Sequence, residues 1–188
     1  MNEMETRSLE SVESKEENSI AGYALKYNSL SEDLGGYKEI ISPNALNGVD
    51  LSDVRALINH DRNQCIGRTK AGTLMLKNDS TGLGFVCTLP GTSFARDLKE
   101  NIKAGNISQC SFKFRTTENG VSWKRSKEGD YIRTIEQFSE IEEISIVTIP
   151  AYEDTNVAVA TRELANEKDY QKRLAIVKVQ LDLDELTI

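Results

Sequence analysis

The chain has little of several residues that bring chemistry or crosslinks. It has one histidine, one tryptophan, three prolines and three cysteines in 188 residues. The cysteines, Cys65, Cys87 and Cys110, are odd in number and widely spaced. That excludes a disulfide framework and fits free thiols in a reducing compartment. With one histidine and no paired cysteine motif, a structural zinc site is excluded, and no metal or organic cofactor is expected. Long apolar runs are missing too. A run such as Ile144–Ile149 falls far short of the roughly 20 residues that cross a bilayer. The opening Met1-Asn2-Glu3-Met4-Glu5 has no basic-then-apolar signal region, so a cytosolic chain with no membrane partner is expected. Basic runs are also lacking. With 23 basic against 30 acidic residues the formal charge is −7, which repels phosphate backbones and argues against nucleic acid. The glycines at 22, 35–36, 82 and 84 precede no Gly-Lys-Ser/Thr, so no phosphate loop is present.

What remains is a globular composition, 38% hydrophobic and 28% charged. A chain of this length buries roughly 70% of its unfolded surface, enough for one self-sufficient domain. Residues 1–18 are rich in Glu, Ser, Asn and Lys without an apolar stripe, and read as a flexible acidic tail. Residues 19–160 read as the folded domain. Residues 161–188 read as a charged helix, over Arg162–Ile176, followed by an acidic tail.

Strand patterns recur across the middle, at Ile20–Tyr27, Tyr37–Ile41, Val54–Ile58, Cys65–Thr69, Thr73–Lys77, Gly84–Leu89, Ile107–Arg115 and Glu140–Ile149. Val121–Arg125 and Tyr131–Phe138 suggest a further hairpin. Ser42-Pro43 has the chemistry of a helix start, predicting a short helix through Leu46. One longer helix is clear: Thr92 or Ser93 at its cap, Phe94, Leu98 and Ile102 along one stripe, and Gly105 as its stop. About seven to nine short strands broken by one good helix predict a mainly β fold. A closed, largely antiparallel β-barrel surrounded by a few α-helices fits better than a parallel α/β sheet.

Candidate chemistry starts at His60, the chain's single side chain suited to moving protons near neutral pH. It ends a predicted buried strand, between Asn59 and Asp61. By position alone an ordinary surface histidine in a turn is the commoner reading. Ser111 alternates against Cys110, Phe112 and Phe114, so it should point outward on a rigid strand. A serine hydroxyl needs an adjacent base to attack a carbonyl, and His60 can supply it. Alone, Ser111 is an ordinary strand serine. Glu142 and Glu143 enter the last strand, Glu143 sharing a face with Ser145. Either carboxylate can orient an imidazole, as can Asp61; pattern does not separate these acids from solvated ones. Cys110 or Cys65 with His60 would make a cysteine nucleophile pair, although Cys110 falls on the apolar face.

Several blocks carry a family resemblance when taken in order. They are Gly22-Tyr23-Ala24, then Ile41-Ser42-Pro43-Asn44-Ala45-Leu46, then Leu57-Ile58-Asn59-His60-Asp61 with Ile66-Gly67-Arg68-Thr69. Ser108-Gln109-Cys110-Ser111-Phe112-Lys113-Phe114 and Glu143-Ile144-Ser145-Ile146-Val147-Thr148-Ile149-Pro150-Ala151 complete them. Over about Ile20–Thr155 the chain resembles the prohead proteases of tailed bacteriophages, a family that resembles in turn the herpesvirus capsid-maturation proteases. The resemblance implies a closed β-barrel with helices around it and a serine endopeptidase. It implies His60 as general base, Ser111 as nucleophile and Glu143, in place of the second histidine of the herpesvirus enzymes, as the third member. Lys113 stands where the family usually has glycine.

The resemblance also implies a role. The enzyme would cut scaffold segments from the major capsid protein, and itself, inside the procapsid in the bacterial host cytoplasm. Its partners would be the major capsid protein and its own chain, with a homodimer by analogy to the herpesvirus enzymes. Self-cleavage is expected near residues 1–18 or beyond Arg162. Two rivals are an inactive capsid-assembly module of the same fold and a cysteine hydrolase using Cys110.

Overall fold

The computed structural model describes residues 3–10, 12–15, 18–148 and 165–173. Twelve strands run in chain order: β1 (Glu5–Glu10), β2 (Glu13–Lys15), β3 (Ser19–Lys26), β4 (Tyr37–Ile41), β5 (Arg55–Ile58), β6 (Asp61–Arg68), β7 (Leu74–Asn78), β8 (Gly82–Thr88), β9 (Gln109–Thr116), β10 (Val121–Arg125), β11 (Tyr131–Ile135) and β12 (Phe138–Val147). One helix, α1 (Ser93–Lys103), separates β8 from β9. Residues 165–173 are also helical, within the expected C-terminal helix. The acidic tail expected after that helix lies outside the described residues.

The strands form three open sheets, not the closed barrel that was expected. Their orders are β1-β9-β12-β5-β6, β10-β11-β4 and β2-β3-β8-β7. The mainly β class and the antiparallel character hold: only the β12–β5 and β11–β4 pairings are parallel. The physical reason for the difference is that alternation reports which residues share a face. It is the same in an open sheet and in a barrel. Closure depends on long-range register between first and last strands, which no local pattern encodes.

Residues of all three sheets build the main apolar core, and a second, small cluster gathers Leu34, Trp123 and Tyr131 around Tyr37. Phe112 and Phe114 from β9 meet Phe138 from β12, with ring centroids 5.1, 6.1 and 5.0 Å apart. Ile20, Leu25, Leu83, Cys87 and Ile144 fill the space around them, all fully buried. The helix forms as its sequence predicts: Ala95, Leu98 and Ile102 are buried on one stripe, and Gly105 adopts φ 76° just past its end. Thr92 occupies the N-cap position without a side-chain cap bond. The segment after Ser42-Pro43 is a run of turns rather than the predicted helix, closed by short bonds such as Ala45 N–H to the Ser42 carbonyl at 3.0 Å.

The N-terminal segment also differs from the acidic tail expected there. Residues of β1 pair antiparallel with β9, Glu5 opposite Phe114 and Ser8 opposite Ser111. Two inward residues of β1, Glu5 and Arg7, are charged, so the strand shows no clean apolar alternation. Glu5 and Arg7 meet Glu39 of β4 and Arg133 of β11 in a buried quartet. Arg133 donates to both Glu5 oxygens at 2.7 and 2.8 Å and to Glu39 at 2.6 Å. Arg7 donates to Glu39 at 2.6 and 2.8 Å and to Glu5 at 3.0 Å. Arg133 is completely buried and Glu5 and Glu39 nearly so. Two acids and two bases in contact offset the desolvation each would otherwise suffer. Burial alone would raise the Glu39 carboxyl, but Arg7 and Arg133 reverse this and hold it below the ordinary carboxylate range. The quartet ties the five-stranded sheet to the three-stranded one.

Candidate active site

The site begins with a two-residue turn. Asn59 and His60 alone join β5 to β6, with Ile58 opposite Asp61. Both have positive φ, 49° and 59°. This is the pattern of a type I′ hairpin turn, which suits the right-handed twist of the strands but strains residues other than glycine. Asparagine and histidine are found there more often than most residues, yet the left-handed conformation still costs about 1–2 kcal/mol per residue. Hydrogen bonds hold the turn in place. The Asn59 N–H donates to the Ile146 carbonyl at 3.0 Å. The Asn59 side-chain carbonyl accepts from the Thr148 N–H at 3.0 Å and its hydroxyl at 3.3 Å. The His60 N–H donates to Ser145 Oγ at 3.2 Å.

The imidazole is therefore fixed over the centre of the five-stranded sheet. In that sheet β12 lies between β9 and β5, with Ser145 opposite Ser111 and Glu143 opposite Lys113. Period-two alternation puts Glu143 and Ser145 on one face of β12, and the register brings Ser111 alongside. The Glu143 carboxylate accepts from His60 Nδ1 at 2.5 Å. A carboxylate acceptor at Nδ1 puts the ring proton there and leaves the Nε2 lone pair free. That lone pair faces Ser111 Oγ at 3.0 Å. The second Glu143 oxygen accepts from the Ser145 hydroxyl at 2.6 Å.

Ser111, Ser145 and Glu143 are buried. The His60 side chain is 26% exposed and forms the solvent side of the group. Ser111 was expected to point outward; it does leave the Phe112 core, yet it is fully enclosed. The reason is that β9 is flanked by β12 and β1, and the Asn59-His60 turn packs onto its other face. The arrangement is a hydroxyl, a base able to take its proton, and a carboxylate able to stabilise the resulting imidazolium.

The other sequence candidates lie elsewhere. Glu142 pairs with Arg62 at 2.7 Å and Lys113 at 3.5 Å. Asp61 accepts from Asn63 and Gln64 within its own hairpin. Cys110 sits on the core face, and burial pushes its thiol well above the ordinary range, the nearby Glu143 charge adding to the effect. Cys65 is exposed on β6 and donates weakly to the Gly67 carbonyl. Sequence reasoning gave Ser145 no role. Its sharing a face with Glu143 was the signal that could have found it. Among the described residues, no group of three or more His, Cys, Asp and Glu is placed to hold a metal.

Comparison with known proteins bears on this geometry. A family model described as caudovirus prohead serine protease matches residues 2–170. No characterised, curated protein matches. Among solved structures the chain is similar to the bacteriophage T4 capsid assembly protease, at 13% identity and a TM-score of 0.43, covering 78% of this chain and 99% of that one.

Proposed function

The chain belongs to the caudovirus prohead serine protease family, and on that premise we propose that it is a serine endopeptidase of capsid maturation with Ser111 as nucleophile. The observation that carries the reading is the hydrogen-bonded line from Glu143 through His60 to Ser111, with contacts of 2.5 and 3.0 Å. Ser111 Oγ attacks the scissile carbonyl carbon while His60 Nε2 takes its proton. The tetrahedral intermediate collapses, the C–N bond breaks, and His60 returns the proton to the leaving amine. Water then repeats the sequence against the acyl-enzyme and frees Ser111. Glu143 holds the Nδ1–H tautomer throughout and stabilises the imidazolium.

The family supports a capsid-protein substrate. We assign the cuts to scaffold segments of the major capsid protein inside the procapsid, and to this chain's own terminal segments, in the host cytoplasm. Among the described residues no helix is long and apolar enough to cross a membrane. Cysteine chemistry is disfavoured by the buried, raised Cys110 thiol on the face away from His60. An inactive assembly module is disfavoured because the imidazole lies within hydrogen-bonding distance of both the hydroxyl and the carboxylate.

The test is co-expression with the cognate major capsid protein, comparing wild type with Ser111→Ala by intact mass. A capsid-protein fragment lost only with wild type is expected. Uncut capsid protein with both, in particles that assemble, would overturn the reading.

A further inference from the structure

The Ser145 hydroxyl makes two hydrogen bonds that end on two different parts of the same site. It accepts the backbone N–H of His60 at 3.2 Å and donates to Glu143 at 2.6 Å. The other Glu143 oxygen holds the His60 ring at 2.5 Å. The bonds close a ring: His60 backbone to Ser145, Ser145 to Glu143, Glu143 back to the His60 imidazole. We propose that Ser145 is a positioning residue of this protease, setting the tilt of the Glu143 carboxylate and the seat of the strained His60 turn with one hydroxyl.

The inference rests on the protease reading of the same site, and the direction of each bond supports it. A hydroxyl has one proton to give, and Glu143 takes it. That bond assigns the two carboxylate oxygens separate partners and stops the carboxylate rotating about its own axis. A backbone N–H in a tight turn has one direction to point, and Ser145 Oγ lies on it. The His60 backbone has positive φ, a conformation histidine does not favour, so a bond to that N–H holds the residue where its own preference does not. Ser145 lies on β12 between β9 and β5, paired with Ser111 on one side and Leu57 on the other. Ladders on both sides fix its Cα, and its side chain is fully buried. Alanine there would leave the His60 N–H and one Glu143 oxygen without these partners. It would not remove the nucleophile, the base or the carboxylate.

A structural role alone would lower stability and leave the surviving folded enzyme intact. A positioning role lowers turnover and changes the environment of the His60 ring proton. The chain's single histidine makes that proton readable without assignment. The experiment uses full-length protein labelled with 15N-histidine, as wild type, Ser145→Ala, Ser145→Thr and Ser111→Ala. The ring N–H resonance is recorded by NMR, and single-turnover cleavage of assembled capsid protein is measured in parallel.

For Ser145→Ala we expect a drop of about 10- to 100-fold in the cleavage step with little change in apparent substrate affinity. We also expect the Nδ1–H signal to move upfield and exchange faster with water. Ser145→Thr keeps the hydroxyl and should recover most of both. A Ser145→Ala protein that cuts at the wild-type rate with an unmoved ring proton would overturn the proposal and leave the protease reading standing. Wild type that fails to cut, like Ser111→Ala, would overturn the protease reading. The ring-proton measurement judges the positioning role in either case, because it needs no turnover. Should Ser145→Ala fold poorly, the Ser145→Thr protein decides: a ring proton and rate far from wild type, in a folded variant that keeps the hydroxyl, would also count against the proposal.

Discussion

Replacing Glu143 by glutamine tests the site most sharply, because the structure decides which way the amide must turn. The glutamate oxygens face different partners, His60 Nδ1 at 2.5 Å and the Ser145 hydroxyl at 2.6 Å. Ser145 has one hydroxyl proton, and the structure directs it to position 143. The glutamine carbonyl therefore turns to Ser145 and the NH2 group to the imidazole. An NH2 donor at Nδ1 requires a lone pair there, which moves the ring proton to Nε2. His60 then presents a proton to Ser111 instead of a base. A wrong tautomer of this kind costs about 10⁴-fold in the well-studied serine protease triads. At 1.36 kcal/mol per decade, that is about 5.4 kcal/mol of transition-state stabilisation. Adding Ser145→Ala to Glu143→Gln removes the donor that fixes the amide. The carbonyl can then face Nδ1, and the double variant should be faster than Glu143→Gln alone, by about tenfold. Single-turnover cleavage of capsid protein, followed by intact mass, measures both. A Glu143→Gln protein within threefold of wild type would refute the tautomer argument.

Thiol exposure, the turn and the buried ion pairs each make a further outcome measurable. Native protein should react with an alkylating reagent at Cys65 alone, with Cys87 and Cys110 labelled only on unfolding, because burial pushes the Cys87 thiol to about 12 and the Cys110 thiol higher still; labelling by mass that finds Cys110 modified first would contradict this. Asn59→Ala loses a residue tolerant of positive φ and its bonds to Thr148, so thermal unfolding should show a loss of about 1–3 kcal/mol, and Asn59→Gly should recover only the conformational part. Glu39 is depressed below its unfolded value, so the stability it contributes is present above the ordinary carboxylate range and is lost as pH falls through its folded pKa. Glu39→Gln should flatten that acid limb of the stability profile while lowering neutral-pH stability by about 3–5 kcal/mol, read by denaturant titration at each pH. Gly82→Ala would drive a methyl group into the Leu25 carbonyl oxygen, so it should unpair β3 from β8 and appear as lost amide protection along those two strands.

Much of this was readable in the residues, for physical reasons that differ by element. The α1 stripe and its glycine stop are local patterns, and they appear as written. The alternation of Cys110, Phe112 and Phe114 against Ser111 correctly split the two faces of β9. It could not tell that the second face is also covered, because that depends on a hairpin 51 residues away. Barrel closure was beyond reach for the same reason. The strand β1 was hidden because two of its inward residues, Glu5 and Arg7, are charged. A pattern search looks for apolar alternation, and here ion pairing takes its place. His60, Ser111 and Glu143 became candidates through family resemblance more than through pattern. The left-handed turn that seats His60 left one trace, the asparagine at position 59.

The long reach of these contacts sets an order of events during synthesis. Glu5 waits for Arg133, 128 residues later, and His60 waits for Glu143, 83 residues later. Loops of that length close slowly and only when both ends exist. A nascent chain that has emerged as far as β11 carries His60 and Ser111 but has no carboxylate at the imidazole and no Ser145 under the turn. Strand β1 cannot complete its ion-pair quartet before β11 is made, and the site cannot form before β12 leaves the ribosome. The line from Glu143 through His60 to Ser111 is complete only once β12, the last of the described strands, is in place.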